Sequence, residues 1–588
     1  MAVFYMPIPL TKRKSAPARV PPAEDVLDVM TRELERSIKG LVVPGSPRPY
    51  EMLYALRRVE TLSLSAAYGG LWRDRASTRS SIYCDIRVGN YQFDNVMDGG
   101  LDDRADERES ADWTDAPDDL ELQALQIALW KLTQLKFDEA LEDYWDHRKA
   151  LVSEHLRHEV GALTRERPVV HIEPLSDDPF PREAWTQALI ELSRRFLEHP
   201  EVYDPDLTLS ATRIQRWLVT SEGTRVLTED VYVRVGAEGW ILSDDGVYVE
   251  GSQDRYFRSV AAVPGRDGIA AIVDAVLADL HELQTAESPG AVIGPALLSG
   301  QAASTLFHEA LGHRLEGERL VARGEAKTFA HKRGERILPR GLDIVDDPTV
   351  THGDNKEELW GSYRIDDQGV RAQRATLVED GVLKGFLGSR TPISGVTRST
   401  GHGRHDGVER PMARMGNLIV RCREVAGTPW AHLKQRLLEI AREQGRRHAV
   451  VINSIRAGET STSDYDFQVF KGELADVSMI DVETGVERRI RDVELIGTPL
   501  AALQRIVGFG REYGVDQGYC FAESGSVPVS GIAPPILLSE LELQQRSTTS
   551  YHEPLLPPPF ADDGSRGRRQ KLRERGRRRR GRDSGKRR

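Results

Sequence analysis

The chain reads as an α+β protein, with a mostly antiparallel β-sheet domain in its C-terminal half and smaller α/β N-terminal and middle domains before it. Three observations predict this. The stretches LVEDGVLKGFL (377–387) and VSMIDVETGVERRI (477–490) each set a turn pair, Asp380-Gly381 and Thr484-Gly485, between strand-like runs. Strand-like text between about 206 and 260 is punctuated by Ser-Glu-Gly, Ala-Glu-Gly and Asp-Asp-Gly, which are turn signals. Stretches of 3.6-residue periodicity are interleaved with these strands and mark a few helices.

Taken in order, residues 1–23 are Pro-rich and basic and form a flexible arm. An amphipathic helix follows over 26–37. In SIYCDIRVG, Ile82, Cys84, Ile86 and Val88 alternate onto one face of a strand. An acidic loop (99–119) precedes a long helix over 120–158, with Leu122, Leu125, Leu129 and Leu132 on one stripe. Further helices are predicted over 182–198 and 267–283. SPGAVIGPALLSG (288–300) reads as a loop, a short strand and a helix start with Ser299 as N-cap, and the main domain boundary falls near residue 288. Beyond it, Thr428-Pro429 opens a helix that Gly445 closes. The domains are thus an arm (1–23), an N-terminal domain (24–120), a helical and β-rich middle region (121–288), a C-terminal domain (289–545) and an Arg-rich tail (546–588).

Composition narrows the function classes. Of 588 residues, 39% are hydrophobic and 29% charged, as in ordinary globular proteins. No apolar run reaches 18 residues, which argues against a membrane-spanning helix. Three cysteines make no disulfide framework, and the charges near the start follow a short apolar stretch, the wrong order for a signal peptide. A cytoplasmic location is the expectation. Residues 566–588 carry 14 Lys or Arg against 2 acids, a net of +12, which leaves −23 for the remainder of a chain whose total is −11. Such a tail is expected to be disordered and to attract polyanions.

The chemistry-bearing stretch is HEALGH, residues 308–313. In the common zinc-hydrolase motif the histidines are four apart on one helix face. Five apart, they stand about 140° from one another around a regular helix. Apolar Ala303, Leu306, Phe307, Ala310 and Leu311 cluster on one side, while His308, Glu309, His313 and Glu316 share the other, with Gly312 among them. A π-bulge eased by Gly312 would align the two rings, and the open glycine would let a metal approach. Fifteen histidines in 588 residues make a chance His-Glu-x-x-x-His uncommon, so the metal-binding reading outweighs that of a solvated polar face.

A catalytic zinc needs a third protein ligand. Cys84 shares a strand face with Ile82 and Ile86, and Cys422 with Leu418 and Val420, so both read as small core residues. Cys520 lies in a glycine-rich stretch without strand alternation, where the backbone can bend a thiolate toward a distant site. Glu316, His331, His402 and His405 remain competitors.

Four ordered stretches carry a family resemblance: LLSGQAASTLFHEALGHRLEGE (297–318), LVEDGVLKGFL, RPMARMGNLIV (410–420) and GYCFAESGSVPVSGIAPP (518–535). Over about 290–545 the chain resembles the TldD/PmbA family of metalloproteases. The resemblance weakens over 24–288, and the 99–160 insertion and the Arg-rich tail depart from the family pattern. It implies a TldD-like fold and a Zn2+ held by His308, His313 and Cys520, with Glu309 as the catalytic glutamate. It further implies the active TldD-type subunit, since the PmbA-type (TldE) subunit lacks the metal motif. Small or unfolded peptides would be the substrates, bound as an added strand along 206–260 or 370–420. The enzyme would be a homodimer or a heterodimer with a PmbA/TldE-like subunit.

Two neutral imidazoles and one thiolate leave a zinc site at net +1, which acidifies an attacking water, and Glu309 can move its proton. Glu316 could orient a histidine, and the basic loop 400–417 could bind peptide backbone or carboxylate. The alternatives are a non-catalytic scaffold or regulatory subunit and a metal-dependent amidase acting on non-peptide substrates.

Overall fold

A computed structural model describes residues 20–96, 112–153 and 160–546, apart from 177, 323, 326, 424–426 and 463–468, together with residue 559. The arm before residue 20, most of the acidic loop and nearly all of the tail lie outside the described residues.

Two long strands, Pro49–Ala67 and Gly70–Asn90, form a hairpin. The first also pairs antiparallel with Val202–Thr220, from Leu53 opposite Thr220 to Ala66 opposite Leu207. Arg225–Leu242 and Tyr248–Phe257 extend the same sheet, which the short strands Phe93–Asp94, Trp113–Asp115 and Val170–Ile172 bring to eight, so residues on both sides of position 120 share it. Strand alternation explains its two faces. Even-numbered Met52, Tyr54 and Leu56, and further along Leu62, Leu64 and Ala66, face helices. At one end Ala23–Gly40 and Leu122–Ser153 bury Val26, Met30, Leu125 and Leu129 against Tyr54, Ile82 and Cys84. At the other end Arg182–Ser193 and Arg266–Thr285 bury Leu189, Val273 and Val276 against Leu64 and Leu209. Odd-numbered Leu53 and Ala55 point the opposite way and meet Ile365 of the C-terminal half. On that face Arg57 and Arg216 both grip Asp367.

Among the described residues the C-terminal half holds a two-stranded sheet, Gly403–Arg404 with Met412–Ala413, and two large ones. Six strands run in the order Val382–Leu383, Ala375–Glu379, Leu342–Asp346, Asn417–Cys422, Gly525–Ala533 and Gly514–Ala522, antiparallel except where Asn417–Cys422 meets Gly525–Ala533. In the other, His448–Thr460, Val292–Leu298, Ile536–Gln545, Val493–Gly497 and Phe470–Asp481 pair in succession, and the last returns to the first to close a ring. Helix Gly300–Ala310 follows Val292–Leu298 directly and buries Ala302, Ala303, Leu306, Phe307 and Ala310 in the main core. Ser299 caps it, its Oγ accepting from Ala302 N at 3.2 Å. The architecture is α+β, and the Asp380-Gly381 hairpin forms with both turn residues at positive φ.

Two local expectations are corrected. Ala-Glu-Gly (237–239) is not a turn but the interior of strand Arg225–Leu242, flanked on both edges by partner strands. The stretch around Cys520 is not a loop: Gly514–Ala522 is a strand of the sheet edge, paired along its length with Gly525–Ala533. Its glycines and polar residues hide the alternation that a strand with one buried and one solvent face would display.

Candidate functional site

His308 and Glu309 stand in the last turn of helix Gly300–Ala310. The helix does not continue through a π-bulge. Leu311 leaves it at φ −125° and ψ −50°, and a 3-10 turn, Gly312–Leu315, carries His313. This break, which seats Leu311 and Leu315 in the core, turns the second histidine back toward the first. Ring centroids lie 4.9 Å apart with the planes 85° to each other. Gly312 does not open onto the site either. A Cβ there would stand 2.2 Å from Met415 Sδ, so the glycine lets the turn press against the strand region behind it.

Cys520 arrives from strand Gly514–Ala522. Its Sγ lies 3.3 Å from His308 Nε2 and 3.4 Å from His313 Nε2, and the three ligand atoms fall within 4.8 Å of one another. A tetrahedral zinc with ordinary bond lengths would separate sulfur and nitrogen by about 3.6 Å and the two nitrogens by about 3.3 Å, so the donor set fits that ion. The rival ligands are placed elsewhere. His331 is exposed, His402 is buried against Asp346 at 3.1 Å, and the His405 ring contacts Glu409 O at 2.6 Å.

Glu316 is fully buried. Its Oε2 faces His313 Nδ1 at 3.2 Å, which orients the ring so that Nε2 points at the thiolate. The same oxygen accepts from Arg319 Nε at 2.9 Å, and Oε1 lies 3.4 Å from Arg414 Nε. Burial pushes its pKa up, but His313, Arg319 and Arg414 hold it down, to about 2. Arg319 continues the network with two bonds to Glu523, and Arg414 donates to Cys520 O at 2.8 Å.

Burial is also the largest influence on the other groups. It opposes charge on both histidines, yet the adjacent thiolate, together with Glu309 at His308 and Glu316 at His313, outweighs it and raises both pKa values. Burial would raise the Cys520 thiol, but the two imidazoles hold it well below its usual value, as a ligand-ready thiolate. Glu309 is raised, burial exceeding the pull of the histidines. Its Oε1 lies 3.9 Å from His308 Nε2. Gly458 makes room for it, since a Cβ there would sit 2.5 Å from that carboxylate oxygen.

These groups line a cavity of about 560 Å3. One wall is residues 456–460, paired with Phe470–Asp481 on one side and with no strand on the other among the described residues. The other wall is Gly514–Ala522, the last strand of its sheet. Gln301 bridges the two, donating to Ile455 O and Asp516 Oδ1 while accepting from Ile455 N. Of the segments expected to offer a peptide edge, 206–260 contributes only Tyr256 to the lining and 370–420 contributes none. The basic loop 400–417 is also buried, with Arg404 donating to Met415 O and Arg414 committed to Ser524 and Cys520.

Sequence reasoning missed Arg319, Arg414, Glu523, Gln301 and Gly458. Arg319 had a signal, standing three residues after Glu316, and Gln301 precedes Thr305 and His308 on one helix face. Arg414 and Gly458 had none, since only tertiary packing brings them here.

Residues 292–545 match the family described as the PmbA/TldA metallopeptidase C-terminal domain. A metalloprotease of Archaeoglobus fulgidus is 30% identical over 279 residues, covering 46% of this chain and 58% of that protein. A metalloprotease TldD homolog of Haemophilus influenzae is 28% identical over 274 residues, covering 46% and 51%. The chain thus spans about half the length of these curated relatives. The crystal structure of TldE from Thermococcus kodakarensis superposes over 88% of this chain and 100% of its own, with a TM-score of 0.54 and 15% identity, a likeness of fold.

Proposed function

Because this chain belongs to the TldD/PmbA family, we propose that it is a zinc-dependent peptidase acting on small or unfolded peptides. The reading rests above all on one observation, the convergence of His308, His313 and Cys520 beside the carboxylate of Glu309.

His308, His313 and Cys520 would hold the ion. When bound, zinc supplies Lewis acidity for the scissile carbonyl and acidifies an attacking water. The remaining work falls to the chain. Glu309, kept basic by burial, accepts the proton of the attacking water and returns it to the departing amine. Glu316 fixes the His313 tautomer, with Nδ1–H toward the carboxylate. The edges at 456–460 and 514–522, without a further strand among the described residues, offer backbone groups to an extended peptide, which would lie between them as an added strand. Gln301 closes one end of that channel. Pairing with itself or with a PmbA/TldE-like subunit belongs to the same proposal, and sedimentation tests it. Among the described residues no helix is long and apolar enough to cross a membrane.

Glu309→Gln tests the assignment. It should abolish peptide cleavage while zinc content stays near one per chain. Loss of zinc in this variant would make Glu309 a ligand instead, and undiminished cleavage would remove it from the chemistry.

A further inference from the structure

A second group of metal-ligating side chains lies apart from the site, at the helix-covered end of the eight-stranded sheet. His199 ends the 3-10 helix Arg194–Glu198, Glu201 precedes strand Val202–Thr220, and His281 rides on helix Arg266–Thr285. All three aim at one point. Glu201 Oε1 lies 2.8 Å from His281 Nε2 and 3.3 Å from His199 Nδ1, the rings are 5.3 Å apart, and the three ligand atoms fall within 4.8 Å of one another.

We infer that His199, Glu201 and His281 form a second binding site for a divalent transition-metal ion of the zinc type, independent of the Cys520 site. Two imidazoles and one carboxylate are a donor set that zinc and its first-row neighbours accept. The ligands stand on a rigid base, because Val202 and Leu280, their immediate chain neighbours, are fully buried in one core. The donors themselves are 30%, 36% and 40% exposed, which leaves the remaining coordination positions to water. Neither imidazole has a second hydrogen-bond partner among the described residues, so each can carry its proton on the nitrogen turned away from the ion. A bound ion would tie the turn at 199–201 to a helix 80 residues further along the chain.

Cobalt(II) titration of the full-length chain tests this, because thiolate-to-cobalt charge transfer marks the Cys520 site and a nitrogen–oxygen site lacks it. The wild-type chain should take up a second equivalent without charge transfer. His281→Gln and His199→Gln should weaken that equivalent by more than the about 10- to 100-fold that loss of an outer hydrogen-bond partner costs, with the charge-transfer equivalent and the metal-free melting temperature unchanged. Cys520→Ser should do the reverse, and its melting temperature should rise on adding Zn2+ unless His281→Gln is also present. Equal uptake by the wild-type chain and His281→Gln, or no zinc-induced shift in Cys520→Ser, would overturn the second site whatever the fate of the first.

Discussion

Replacing Glu316 by glutamine keeps the shape of a fully buried side chain and removes its charge. The wild-type carboxylate holds His313 Nδ1 at 3.2 Å, Arg319 Nε at 2.9 Å and Arg414 Nε at 3.4 Å. Carboxylates that orient a metal-bound histidine are typically worth about 10- to 100-fold in metal affinity, so Glu316→Gln should weaken zinc binding by about 1.4–2.7 kcal/mol. Folding should suffer as well. Uncoupling a buried ion pair costs about 3–5 kcal/mol when the partner is stranded. Arg319 keeps Glu523 and Glu325, but the fully buried Arg414 has no other carboxylate at ion-pair distance among the described residues, so the loss should approach that range. Zinc affinity would be read by competition with a chromophoric chelator and stability by denaturant unfolding of the metal-free chain. Glu523→Gln is the control, since it shares Arg319 but does not touch His313. It should lower stability and leave zinc affinity alone. Wild-type zinc affinity in Glu316→Gln, or equal weakening in Glu523→Gln, would refute an orienting role exerted through His313.

Cys520→Ser should lower the zinc content of the purified protein, whereas Cys84→Ser and Cys422→Ser should not, as metal analysis will register. Glu318 is fully buried, which pushes its pKa up to about 7 despite the donors Ser389 and Ala413 N. Its protonated form therefore favours the fold below about pH 4.3, and that contribution is lost as pH rises to about 7. Glu318→Gln should gain on the wild type by on the order of 3 kcal/mol between those pH values, and parallel unfolding profiles would contradict this. Truncation after residue 564 removes the +12 tail. It should spare cleavage of short peptides but abolish polyanion binding that otherwise falls about a thousandfold between about 50 and 200 mM salt.

Much of the site was legible because its residues are local. His308, Glu309 and His313 sit in one hexapeptide, and the Ser299 cap marks where their helix starts. The geometry between the histidines was not. A helical wheel assumes that the helix continues, whereas burial of Leu311 and Leu315 ends it after Ala310. Cys520 stood out by its glycine-rich surroundings, yet those glycines also concealed the strand that carries it. Long-range pairing was equally hidden. Strand-like text from about 206 predicts a strand but does not name 49–67 as its neighbour, because register depends on which apolar faces meet after collapse. The edges at 456–460 and 514–522 were illegible for the same reason, since an edge is defined by the strand that is missing.

Cys520 and His308 touch across 212 positions of chain, and this separation sets an order of events during synthesis. At roughly 5–20 residues per second, the histidine pair is made roughly 10–40 seconds before the cysteine. During that interval the growing chain offers two histidines without their thiolate, a poor trap for zinc. The hairpin that delivers Cys520 follows most of the strands it packs with, so capture by the proposed ligands would be deferred until those strands can fold around it. With the proposed ligand set, loading with metal would become a report on how far synthesis has gone, and a chain cut short before residue 520 would carry the motif without its thiolate.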